Sequence, residues 1–144
     1  MIRHTWHVFG EPRPQPRPRA YRRGAHAGVY NPKSSNRWKE QIKNAIAAAG
    51  GPEEPLGGVI ELTLLFRLPR PKSHYTKDGE ALLPEAPTAH TQTPDIENLV
   101  KAVMDAMVDM GVMADDSQVV RLIASKSWCQ PLESGVSISL SSSF

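Results

Sequence analysis

Residues 2–9 alternate. Ile2, His4, Trp6 and Val8 fall on one side of the chain and Arg3, Thr5, His7 and Phe9 on the other, the two-residue period of a strand. The next stretch, EPRPQPRPRAYRRG at 11–24, breaks the pattern with Pro12, Pro14, Pro16 and Pro18. Four missing backbone donors rule out a central strand, so the spacing predicts an extended, polyproline-like arm. Residues 35–49 place Trp38, Ile42, Ala45, Ile46 and Ala49 at helical spacing, with Ser34 or Ser35 as N-cap and Gly50-Gly51 as the stop. A second strand is predicted at 58–66. The 26 residues from Pro69 to Pro94 carry prolines and an Asp78-Gly79 turn but no period, and read as a long functional or mobile loop. Over 96–110, Ile96, Leu99, Val100, Val103, Met104, Met107 and Val108 form an unbroken apolar stripe, the clearest helix in the chain. Strands are predicted at 117–126 and 135–141, joined by a turn containing Pro131. The order β-α-β-loop-α-β-β implies an α+β fold, a mixed sheet packed with two main helices, in a single domain over 1–144.

A chain of 144 residues and 15.9 kDa is the size of one domain, and 6% aromatic content makes its core aliphatic. The net charge of +2 hides an asymmetry: residues 1–50 hold ten Lys/Arg against two acids, whereas 51–144 hold seven against thirteen. A basic front and an acidic back suggest a polyanionic partner and a site that gathers carboxylates. The single cysteine, Cys129, excludes an internal disulfide and a zinc framework, and beside Trp128 it reads as a packed small residue. No apolar run is long enough to span a membrane, and the N-terminus lacks the apolar core of a signal peptide, so a cytoplasmic setting is expected. Neither GxxxxGK[ST] nor GxGxxG occurs, which argues against a nucleotide cofactor, and no GxSxG elbow is present. Ser137, Ser139 and Ser141 alternate as the outer face of a strand, His4 and His7 fall on opposite faces, and Met104, Met107, Met110 and Met113 read as core or dimer-contact residues.

Two acidic clusters remain. In Pro94-Asp95-Ile96-Glu97-Asn98-Leu99-Val100-Lys101, Asp95 and Glu97 converge on a common ion only if Asp95 stands at or before the first helical turn, which Pro94 favours. The ordinary alternative is Asp95 as N-cap and Glu97–Lys101 as a surface i,i+4 pair. Asp115-Asp116, ahead of the next strand, read alone as a solvated turn. Together with the helix start they can supply hard oxygen ligands for Mg²⁺, with Lys101 near enough to meet charge on a phosphate.

PDIENLVKAVMDAM, followed by ADDSQVV and Lys126, resembles the RusA-type Holliday-junction resolvases. The likeness extends to the Pro/Arg arm, Tyr30-Asn31-Pro32, RPKSH at 70–74 and His90. It implies a small homodimeric endonuclease, phage- or prophage-like, that uses Mg²⁺ (with Mn²⁺ as a substitute) to resolve four-way DNA junctions in recombination and repair. Carried over by motif, the catalytic and metal-ligating acids are Asp95, Glu97 and Asp116, with Asp115 an alternative ligand and Lys101 the catalytic lysine. Glu97 stands where the family usually has aspartate, one methylene shorter. Asp105 matches a recurrent acid and reads as structural. Arg13, Arg17, Arg19, Arg22, Arg23, Lys72, His74, Lys77 and Lys126 are the expected DNA contacts. Two other readings stay open: a non-catalytic binder of branched or single-stranded DNA, and a less selective nuclease of flaps or forks.

Overall fold

The two central strands of the sheet bury alternate residues, so only one of its faces can be a core face. The computed structural model describes residues 1–143. Six strands and two helices follow in the order β1 (Ile2–Phe9), β2 (Arg19–Arg23), β3 (His26–Tyr30), α1 (Asn36–Ala48), β4 (Val59–Pro69), α2 (Ile96–Asp109), β5 (Val119–Cys129) and β6 (Gly135–Ser143). Four of the strands form a mixed sheet in the order β1-β6-β4-β5. β6 is antiparallel to both neighbours, pairing Trp6 with Ile138 and Leu64 with Ile138 across its two sides. β5 runs parallel to β4, from Leu62 opposite Leu122 to Pro69 opposite Cys129, and among the described residues no strand pairs with its outer edge.

Ile60, Leu62, Leu64, Phe66 and Leu68 of β4 and Val136, Ile138 and Leu140 of β6 are buried under the two helices. α1 contributes Trp38, Ile42 and Ile46, and α2 contributes Leu99, Val100, Ala102, Val103, Ala106 and Met107. The apolar stripe read from 96–110 is therefore the seam that closes the core. Met107 and Met113 lie inside it and Met104 and Met110 pack at its margin. On the opposite face Ser137 accepts from Arg67 Nη1 at 2.8 Å and bonds to His7 at 3.0 Å, beside exposed Phe9, Leu65 and Ile123.

The expected arm over 11–24 divides in two. Residues 11–18 carry no regular structure, but from Arg19 the chain forms a two-stranded hairpin with β3 that the proline pattern did not suggest. Its residues are almost all exposed, so it has no buried face to leave a period in the sequence. β4 and β5 also run three residues beyond their expected ends, because Arg67–Pro69 and Ser127–Cys129 extend the parallel ladder.

Gly135 begins β6 where it passes β1. A Cβ there would overlap the Val8 carbonyl oxygen, and the residue has φ +156°. Gly135→Ala should cost about 1–3 kcal/mol or more through forced displacement of paired backbone. A shift in the urea midpoint at unchanged slope measures that loss.

Candidate functional site

The start of α2 is fixed from outside the helix. Lys126 of β5 donates its Nζ to the carbonyls of Gln92 (2.6 Å) and Pro94 (2.9 Å), tying the turn before Asp95 to the sheet. Two residues on, Trp128 donates its indole N–H to Ala89 O at 3.1 Å and meets His90 at a tilt of 38°, with ring centroids 4.0 Å apart. His74 meets the same indole edge-on at 4.8 Å, and Arg70, bonded to Pro87 O at 2.8 Å, lies over it. The expected long loop is thus anchored by side chains of β5 and its neighbours. His74 and Lys126 are engaged in this packing, unlike exposed Lys72 and Lys77, which line an open groove of about 890 Å³ with Arg70.

Asp95 occupies the N-cap position of α2, yet its carboxylate makes no capping bond. Glu97 lies in the first turn and is exposed. Lys101 does not pair with it. Its Nζ stands 3.7 Å from Asp105, which Lys39 of α1 approaches at 3.8 Å from the other side, while Asp109 is met by Lys43 at 3.7 Å. A cavity of about 400 Å³ opens beside this bridge, lined by Gln15, Lys33, Asn36, Lys39 and Lys101 among others. Lys33 and Lys39 escaped the sequence reading, since only the packing of α1 on α2 brings them to Lys101.

The two adjacent aspartates have different partners. Asp115 caps a short 3₁₀ turn, accepting from Ser117 N–H at 3.3 Å and from the Ser117 hydroxyl. Those bonds hold its carboxyl below the usual range. Gln118 accepts from the N–H of Ala114 and Asp115 and donates to Leu56 O and Gly58 O, stapling the turn to the start of β4. Asp116 is left exposed, and among the described residues its side chain has no hydrogen-bond or ion-pair partner.

The clusters lie at opposite ends of β5. Asp95 follows the turn held by Lys126, whereas Asp116 precedes Val119, and the strand between Val119 and Lys126 covers about 23 Å. α2 spans about 21 Å between the same ends. The expected convergence of Asp95, Glu97 and Asp116 does not occur within one chain: among the described residues no three His, Cys, Asp or Glu side chains stand close enough to hold a metal ion.

The arm is docked. Pro12 is buried, and Gln15 N–H donates to Asn98 O in the first turn of α2 at 2.9 Å. Arg17, Arg19, Arg22 and Arg23 remain exposed, and Arg13 pairs with Glu11 at 3.3 Å. Cys129 is half-buried, and burial pushes its thiol up, which keeps it protonated.

Burial, reinforced by the charge of Lys126, lowers the His90 imidazole below its ordinary value. The unfolded chain therefore takes up a proton that the folded protein resists. Stability is full above about pH 6.5 and is lost as pH falls through the lowered value. Thermal melts between pH 7.5 and pH 5 should show this decline, and His90→Phe, which keeps a ring on Trp128, should flatten it.

The family model described as Endodeoxyribonuclease RusA matches residues 10–140. An uncharacterized protein of Bacillus subtilis (strain 168), YqaN, is 32% identical over 120 residues, covering 83% of each chain. The match takes in the docked arm, the turn held by Lys126, both acidic clusters and the strand between them, and the chain belongs to the RusA endodeoxyribonuclease family.

Proposed function

We propose that the protein is a Mg²⁺-dependent endonuclease that resolves four-way DNA junctions by paired phosphodiester hydrolysis, acting as a homodimer. The supporting observation is the division of acids between residues 95 and 118. Asp105 and Asp109 are committed to lysines and Asp115 to a cap, while Asp95, Glu97 and Asp116, the motif acids, are left without protein partners among the described residues. Unpaired, exposed carboxylates are the hard oxygen donors that Mg²⁺ takes, alongside retained waters. When bound, the cation polarises the scissile phosphate and makes its water more acidic.

The chain's own groups do the rest. Asp95 and Glu97 present oxygens from a helix start whose position is set by Lys126. Lys101, steadied by Asp105, faces charge that develops on the phosphate. Water oxygen bonds to phosphorus, the P–O3′ bond breaks, and the leaving oxygen takes a proton. The products are a 5′-phosphate and a 3′-hydroxyl, with no covalent enzyme intermediate. Arg17, Arg19, Arg22 and Arg23 grip phosphates without reading bases. A twofold dimer matches the near-twofold symmetry of a junction and nicks it twice.

Incubating a synthetic mobile junction with protein and Mg²⁺, beside linear duplex and flap, tests the reading. Paired nicks confined to the junction are expected and should vanish in EDTA. Binding without cleavage would instead identify a branched-DNA binder, and equal cleavage of flaps a less selective nuclease. Asp95→Asn should lower cleavage by about 10²-fold or more with binding retained. Glu97→Gln should be comparably damaging while Glu97→Asp stays active, since the shorter acid restores the usual family residue.

The arm affects affinity instead. Replacing Arg17, Arg19, Arg22 and Arg23 with Ala should weaken junction binding at low salt and flatten log K against log[salt] by about 0.9 per lost duplex phosphate contact. Turnover at saturating protein should change little. A slope shift below about one for the quadruple variant would rule out phosphate contacts by the arm.

A further inference from the structure

We propose that the β2–β3 hairpin is a stacking platform for a nucleobase that has left the helical stack at the branch point of bound DNA, with the Tyr21 ring as its floor. The inference takes from the reading above only that the substrate is branched DNA. It adds the feature by which a branch is told from a duplex.

The hairpin forms a sheet of its own, and all its paired residues except half-buried Gly28 are exposed. Its register puts Arg19 beside Tyr30, Tyr21 beside Gly28 and Arg23 beside His26 on one face. The other face holds Ala20, Arg22, Ala27 and Val29. One side of the ribbon therefore combines two rings with two permanent cations, and no acidic residue occurs between Glu11 and Glu40. The partner that fits is a polyanion that can also offer flat apolar faces, which describes a nucleic acid.

Gly28 turns the ring into a floor. A Cβ there would stand 2.6 Å from the Tyr21 hydroxyl oxygen and 2.7 and 2.8 Å from two ring carbons, so the ring lies across the glycine Cα. One ring face is covered by backbone and the other looks outward, leaving Tyr21 44% exposed. Tyr30 stands beside it as a wall, with centroids 6.1 Å apart and planes tilted by 57°. Arg19 and Arg23 lie about 7 Å to either side of Tyr21 along the strand, placed for the phosphates that flank a stacked base.

Inside a duplex both faces of every base are occupied by its neighbours, so the ring has nothing to cover. Where four arms meet, a base can leave its stack at much lower cost, and stacking on Tyr21 repays it. The cations grip any DNA, whereas the ring adds affinity only for a branch.

Binding measured in EDTA, with no cleavage to interfere, tests this. Tyr21→Ala should weaken binding to a four-way junction by about tenfold and leave binding to linear duplex within about twofold. Tyr21→Trp should restore the preference. Gly28→Ala keeps both rings and every charge but lifts Tyr21, and should lose the same preference. With 5-iodouracil in place of a thymine at the branch point, illumination should cross-link wild-type protein at Tyr21, and the same base inside a linear duplex should give no such adduct. An unchanged junction preference in Tyr21→Ala, or equal weakening on junction and duplex, overturns the inference, because the ring then does nothing or only holds the ribbon together. Either result leaves the nuclease reading standing if wild-type protein nicks junctions. Wild-type protein that shows the preference and the cross-link but never nicks overturns the nuclease reading alone.

Discussion

The parallel pairing of β4 with β5 is the constraint from which the rest of the molecule follows. Parallel neighbours cannot be joined by a hairpin, so the chain must travel from the end of β4 back to the beginning of β5. It makes that return as α2, whose apolar stripe simultaneously covers β4 and β6. The helix is consequently antiparallel to the strand that follows it. An acid before the helix and an acid after it are then held apart by a full element length, however close they look in sequence.

The crossover also imposes a task on β5, because the long segment ahead of α2 has no ladder of its own. β5 meets it with side chains. Lys126 and Trp128 alternate on the helix-bearing face, one binding carbonyls of the descending turn and the other receiving His74 and His90. Backbone carbonyls that would otherwise rely on water acquire fixed donors. The start of α2 inherits its position from the sheet, which is why a loop rich in proline and nearly devoid of regular structure can present Asp95 from a defined place.

Local chemistry was readable in the sequence and direction was not. The stripe from Ile96 to Val108, the alternation of Ile2–Phe9 and the stop at Gly50 each express their element within a few residues, and the structure reproduces them. The hairpin at Arg19–Tyr30 escaped because its contacts, Tyr21 with Tyr30 and with the bare Cα of Gly28, leave no buried period. The acidic motifs were visible as motifs. Which member of Asp115-Asp116 is free depends on Ser117 and Gln118 engaging the turn, and how far Asp116 lies from Asp95 depends on strand order. Neither property belongs to a short stretch of chain.

The hydrogen bond from Gln15 to Asn98 makes the arm a lever rather than a tether. A proline-alternating segment resists shortening, so displacement at Arg17 is carried two residues along instead of being absorbed by slack. It arrives at the backbone of the helical turn that bears Glu97 and begins at Asp95. Under the proposed function, grip on a nucleic-acid backbone and the pose of the acids would be mechanically joined, and a duplex that pulls the arm out of line would also tilt the carboxylates away from its own phosphate.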